Sequence, residues 1–309
     1  MTWEQVEGGL LGLLVGDAAG VPYEFHAPRD LPAREQIDMI PPAGFARTYS
    51  HVPVGTWSDD GAQALCLLDS LVERGKWDVD DFASRLLRWF REGYWAVDSR
   101  VFDIGIQTGQ ALDRLADGIP GTRSGLSGER NNGNGSLMRT LPAVLVHRGP
   151  DVDLVRLVEE QSAVTHAHSR SQVCCALYAL WARREMERVP DPWEDAVETL
   201  RELYPKGGIP RFELETHILG HSESPGGSGY VVDCLLSARA ACEQPTFADT
   251  IREAIAFGND TDTTACVAGG IAGIRHGRTG IPAVWLETLR GHEQLAPLIG
   301  KLRQTLFPS

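Results

Sequence analysis

No Cys-x-x-Cys pair, no excess of basic residues and no apolar run near the roughly 20 residues that cross a bilayer occur in this 309-residue sequence. Each absence removes a class of function. Cys66, Cys174, Cys175, Cys234, Cys242 and Cys266 sit in apolar, helix-like segments without metal or redox spacing, so buried thiols of a reducing cytoplasm are expected. The opening MTWEQVEGGLLGLLVGDAAG has no basic n-region, and Asp17 interrupts its short apolar run. Neither export nor a membrane segment is expected. With 29 Lys and Arg against 42 Asp and Glu, the net charge is −13, which disfavours binding along an extended nucleic acid backbone. A small anionic ligand stays open, because divalent cations held by clustered carboxylates invert the local electrostatics.

Low-complexity tracts, fixed-period repeats and alternating runs bounded by hairpin turns are also missing, which argues against disorder, solenoids and sheets. What is present is a 42% hydrophobic share with 8 Trp, 9 Phe and 6 Tyr, enough for a substantial core. Apolar residues recur at three- and four-residue spacing, as in Leu65, Leu68, Leu71 and Val72, or Cys174, Leu177, Tyr178 and Trp181. The pattern predicts an all-α fold and one domain over 1–309. Helices are expected at about 4–19, 60–74, 79–92, 104–116, 136–147, 151–161, 169–187, 192–203, 230–243, 247–257, 263–276 and 292–306. Gly12, Gly16 and Gly20 are spaced by four; they would line one helix face and let a neighbouring helix come close. The stretch from Pro190 to Gly229, with HSESPGGSG inside it, reads as a long functional loop.

Two acidic clusters, GTWSDDG at 55–61 and GNDTDTT at 258–264, each precede an apolar-periodic run. Taken singly, either is explained by helix capping and dipole complementation, with Ser58 as an N-cap and Asp262 or Thr263 capping the later helix. Together they offer four carboxylates and two hydroxyls, the hard oxygen ligands that Mg²⁺ or Mn²⁺ prefers. A phosphatase-type DxDxT nucleophile is disfavoured, since TIREAIAFG before it is helical and not a strand. An EF-hand fails because Ile271 stands where the bidentate Glu belongs. A third element, NNGNGSLMR at 131–139, reads as a glycine-rich turn entering a helix near Ser136, whose backbone N–H groups could cradle a phosphate. His166 and His168 have no Cys or His partners at zinc spacing.

In order, GLLVGDAAGVPYEF, GTWSDDGAQALCLLDSL, FDIGIQTGQAL, NGNGSLMRTLPAVL, THAHSRS, SGYVVDCLLSA and AIAFGNDTDTTACVAGGIAGIRHG resemble the ADP-ribosylglycohydrolase family. They are most similar to its bacterial dinitrogenase-reductase-activating branch. The resemblance spans about residue 8 to 290. It implies a compact all-α domain with a dinuclear Mg²⁺ or Mn²⁺ centre that cleaves ADP-ribose from a modified protein or small molecule. By motif, Ser58, Asp59 and Asp60 would hold one metal, Asp262 would bridge, and Asp260 and Thr263 would serve the other. Ser58 stands where many relatives have Thr, and Asn259 where they often have Gly; neither removes a ligand.

The same matching implies Asp103 of FDIG as the substrate-contacting acid/base and Glu24 of PYEF as the water-positioning base. Their structural alternatives are a helix cap and a surface acid. Gly133, Asn134, Gly135 and Ser136 would hold the pyrophosphate, His166 would lie near the ribose and Tyr230 could stack on adenine. Tyr230 has a plain alternative as a core residue opening an apolar helix. Arginine-linked ADP-ribose is favoured by the branch resemblance, but serine-linked, nucleobase-linked and free ADP-ribosyl compounds stay open. So does non-catalytic binding of the kind suggested by similar lens crystallins. The target protein and oligomeric state are not encoded in any motif.

Overall fold

The structure, a computed structural model, describes residues 1–308. Helix α1 (Trp3–Gly20) is set by Thr2, whose hydroxyl accepts from Gln5 N–H while the Gln5 side chain accepts from Thr2 N–H. That reciprocal cap satisfies two of the donors a helix start leaves open. From Gly8 to Gly20 every residue of α1 is buried, as expected for a helix apolar on all sides. Its counterpart near the other end of the chain is α13, which runs from Thr261 to His276 and is buried from Thr261 to Ile274.

These two helices lie antiparallel, backbone against backbone. A Cβ on Gly12 would sit 2.3 Å from the carbonyl oxygen of Gly269, and one on Gly20 2.4 Å from Cα of Asp262. Only glycine permits that approach. The expected glycine face is therefore present, and it has a functional consequence: the end of α1 is pressed onto the start of α13, where the second acidic motif lies.

Around this pair the chain winds α2 (Asp59–Arg74), α3 (Val79–Glu92), α4 (Ile106–Ala116), α5 (Gly121–Ser124), α6 (Leu141–Val146), α7 (Asp151–Ala163), α8 (Ser169–Glu187), α9 (Pro192–Leu203), α10 (Ile209–Phe212), α11 (Val231–Ala241), α12 (Phe247–Ala256), α14 (Ala283–Thr288) and α15 (His292–Leu306). The described residues contain no strand, only isolated bridges joining Leu126 to His166 and Gly133 to Tyr230. All six cysteines are free and buried. Among the described residues no helix is long and apolar enough to cross a membrane.

All twelve expected helices are found, with one shortened. The segment expected to be helical from 136 turns tightly and becomes α6 only at Leu141, so Ser136 does not open a helix. The presumed loop from Pro190 to Gly229 holds α9, α10 and a π-helical turn at Glu213–Ile218. Buried Leu214 and Ile218 pin that turn to the core, and irregular chain remains mainly from 219 to 230.

Candidate active site

The two acidic motifs meet. Ser58 is the N-cap of α2, its hydroxyl accepting from Asp60 N–H, so the capping role is real but leaves the carboxylates of Asp59 and Asp60 uncommitted to it. Asp60 and Thr263, 203 positions apart, come within 3.4 Å, Thr263 Oγ1 to Asp60 Oδ1. Asp260 is the N-cap residue of α13 but makes no side-chain cap bond; its Oδ2 accepts from Asn134 Nδ2 at 2.9 Å. One carboxylate oxygen from each of Glu24, Asp260 and Asp262 lies within 4.8 Å of the others. Glu24 thus joins the acidic group itself.

Nearly all of this charge is buried. Ser58, Asp59, Asp60, Asp262, Thr263 and Glu24 are each 5% exposed or less, so Glu24 is no surface acid. Burial, reinforced by the neighbouring carboxylates, pushes Glu24 up to about 11 and raises Asp59, Asp60 and Asp262 well above the usual carboxylate range. One oxygen each of Glu24, Asp60 and Asp262 is buried without a hydrogen-bond partner. Buried carboxylates are normally paired with cations or donors. An acid cluster with orphaned oxygens and hydroxyls beside it fits hard divalent cations by charge and ligand type.

A cleft of about 390 Å³ opens over the cluster, with Glu24, Asp59, Asp60, Asp260 and Thr263 on its floor. Asp103 stands at its side and does not cap α4, which starts after Gly105. Its Oδ1 accepts from the Tyr49 hydroxyl at 2.8 Å. Burial raises the Asp103 carboxyl, and the hydrogen bond from Tyr49 opposes that shift. The backbone at Asp103 is left-handed, φ 58°, an uncommon state outside glycine that needs surrounding structure to hold it.

Asn134, Gly135 and His166 also line the cleft. Gly133 and Ser136 lie behind them: the Ser136 hydroxyl is fully buried and is hydrogen-bonded to Ser162 Oγ at 2.8 Å. Ser136 has no exposed surface and does not line the cleft. Tyr230 does not line this cleft; it bridges Gly133 through the backbone, and its hydroxyl accepts from Arg170 Nη1 at 3.3 Å.

Sequence reasoning assigned no role to Asp17, Tyr49, Gln63 or Arg139. Asp17, fully buried in α1, accepts from the N–H groups of Ser58 and Gly61, and so ties α1 to the start of α2. Burial pushes it up to about 7 against those hydrogen bonds. A lone carboxylate inside an apolar run was the available signal. Gln63 Nε2 donates to Asp59 Oδ2 at 2.9 Å, and its Oε1 accepts from Arg139 Nη1 at 2.7 Å.

The ADP-ribosylglycohydrolase family model matches residues 2–307. This chain belongs to the ADP-ribosylglycohydrolase family. It is 34% identical over 98% of its length to the ADP-ribosylarginine hydrolase Tri1 of Pseudomonas putida, covering 78% of that protein. It is 28% identical to the ADP-ribosyl-[dinitrogen reductase] glycohydrolase of Rhodospirillum rubrum, over 91% of this chain and 89% of that one. A solved structure described as an ADP-ribosylglycohydrolase-related protein complex superposes with a TM-score of 0.77 at 30% identity, covering 98% of both chains. Family and relatives together make the protein an ADP-ribosyl hydrolase, with the all-helical family fold.

Proposed function

We propose that this family member hydrolyses the bond between C1″ of ADP-ribose and a protein arginine, using two Mg²⁺ or Mn²⁺ ions. The observation that carries the cation requirement is the buried acid cluster with partnerless oxygens on Glu24, Asp60 and Asp262. The arginine acceptor is supported by the relative named an ADP-ribosylarginine hydrolase. Ser58, Asp59, Asp60, Asp260, Asp262 and Thr263 would hold the ions. Bound there, divalent cations supply Lewis acidity, lower the pKa of a bound water and neutralise the cluster.

The remaining chemistry belongs to the side chains. Asp103, fixed by Tyr49, pairs as a carboxylate with the cationic guanidinium of the acceptor, for which a carboxylate is the natural partner, and relays to the departing nitrogen, which leaves with the C1″–N electron pair, the proton that the attacking water gives up. With divalent cations neutralising the cluster, Glu24 would be held as a carboxylate and take a proton from the water that attacks C1″ as the C1″–N bond breaks. Backbone N–H groups around Asn134 and Gly135 receive the pyrophosphate, and His166 meets the ribose. Tyr230, outside the lining of the cleft, reaches adenine only if the nucleoside extends past Gly229. The continuous hydrophobic core from Val6 to Leu302 supports one domain, and six buried free thiols support a reducing cytoplasm.

Incubating the protein with arginine-, serine- and nucleobase-linked ADP-ribosyl substrates, each with Mg²⁺, Mn²⁺ or chelator, tests this reading. Metal-dependent release from arginine alone is the expected result. Equal rates on all three linkages would remove the arginine assignment, and full activity in chelator would remove the ions.

A further inference from the structure

Arg139 is fully buried and has no carboxylate in hydrogen-bond contact among the described residues. Its Nη1 donates to Gln63 Oε1 at 2.7 Å, its Nε to Gln161 Oε1 at 3.0 Å, and its Nη2 to the Gln161 carbonyl at 3.0 Å and to Thr165 Oγ1 at 2.7 Å. Burial lowers its pKa only to about 10, so it remains a cation at neutral pH. A buried guanidinium satisfied by neutral amides and a hydroxyl is an expensive feature, and its position is informative. One arm reaches Asp59 through Gln63. The other reaches His166 through Thr165, whose Oγ1 is 2.8 Å from His166 Nδ1.

The direction of the last bond follows from counting protons. A guanidinium nitrogen can only donate, so Thr165 Oγ1 is an acceptor toward Arg139. Thr165 is itself fully buried, and its hydroxyl proton has one acceptor among the described residues, His166 Nδ1. If the imidazole carried its proton on Nδ1, Thr165 Oγ1 would accept from it as well as from Arg139 and the hydroxyl proton would be left unsatisfied, which costs free energy in a buried site. Nδ1 is therefore the acceptor, and the proton of the neutral ring sits on Nε2. Burial drives the His166 pKa down to about 3, so the ring is neutral at physiological pH.

His166 lines the cleft, and no group of the described residues bonds Nε2. The space before it is kept clear by Gly135, where a Cβ would lie 3.0 Å from His166 Cε1 and 3.3 Å from Nε2. We infer that Arg139 is a positioning residue that, through Thr165, locks His166 in the Nε2–H tautomer and presents that proton to a ligand oxygen in the cleft. The same guanidinium, through Gln63, holds the carboxylate of Asp59. One buried cation thereby sets the donor on one wall and a carboxylate of the floor. The ligand part of this inference rests on the ADP-ribose reading above; the tautomer does not.

Two measurements on the full-length, Mg²⁺-loaded protein test it. Long-range ¹H–¹⁵N spectra of histidine-labelled protein read the tautomer directly. Wild type and Thr165→Ser should both show Nε2–H, whereas Thr165→Val, which cannot donate, should shift His166 to Nδ1–H or to a mixture. Titration calorimetry with ADP-ribose should show about tenfold weaker binding for Thr165→Val and restoration by Thr165→Ser. Nδ1–H in wild type, or a Thr165→Val spectrum identical to wild type, overturns the inference. So does a changed tautomer with unchanged ADP-ribose affinity, since the presented proton would then meet no ligand. Absence of ADP-ribose binding by wild type would sink the function proposed above and with it the ligand half, while the spectra would still decide the tautomer.

Discussion

Asp151 and Asp262 both lie in the first turn of a helix, α7 and α13, and the fold treats them in opposite ways. Asp151 sits 2.8 Å from Arg183 Nη1 and also pairs with Arg184. Burial works against its charge, but hydrogen bonds from Arg184 and Arg183 outweigh that and hold the carboxyl below its usual range. Asp262 has Glu24, Asp103, Asp60 and Asp260 as charged neighbours and is raised by burial and by their repulsion. The chain supplies the counter-charge for the first carboxylate and withholds it from the second. A protein that spends free energy on a buried anionic cluster must recover it from something that binds there.

The strongest way to break this contrast is Asp262→Asn. Turnover should fall by about 10³-fold, roughly 4 kcal/mol of transition-state stabilisation, whereas thermal stability in chelator should be unchanged or higher, because a like charge has been removed. Wild-type turnover at limiting metal, or a lower melting temperature in chelator, would place Asp262 with Asp151 among structural acids.

A smaller effect is expected from Asp103→Asn, which keeps shape but loses charge and proton transfer. Single-turnover hydrolysis of arginine-linked substrate should drop about 10²-fold, with calorimetric ADP-ribose affinity within about twofold of wild type. Unchanged hydrolysis would leave Glu24 as the sole acid/base.

Asp151→Asn sharpens the comparison from the other side. It should cost roughly 1–3 kcal/mol of stability, equally in Mg²⁺ and chelator, with kcat unchanged. The sign of its pH dependence is fixed by its lowered pKa: the stabilisation is present above the unfolded value near 3.9 and is lost as pH falls through the folded value. Denaturant melts should therefore show the gap between wild type and variant closing below about pH 4. A gap constant down to pH 2 would contradict the ion-pair assignment.

The legible parts of this molecule were those whose signal is periodic or consecutive in sequence. Helices such as α8 and α12 follow from their apolar stripes, and the floor of the site follows from two short acidic motifs at helix starts. Glu24 and Asp103 carry no such signal. Both lie in irregular chain beside left-handed residues, Phe25 and Asp103 itself, and only family resemblance pointed to them. The helical turns at 209–218 were hidden by Gly207, Gly208 and Pro210, which read as loop punctuation but here start a helix, with Pro in its first turn. Asp17, Gln63 and Arg139 stayed silent because their roles are long-range. Asp17 caps a helix 41 positions away, and Arg139 reaches Gln63 across 76. Tertiary hydrogen bonds of that kind leave no local pattern.

The most direct test of the acidic floor is a crystal structure grown with Mn²⁺, with anomalous scattering used to locate the ions. Two peaks are expected, ligated by oxygens of Asp59, Asp60, Asp260 and Asp262 and by the hydroxyls of Ser58 and Thr263. No peak among these carboxylates at millimolar Mn²⁺, with the acids pairing to each other instead, would contradict the reading of this cluster as a cation site.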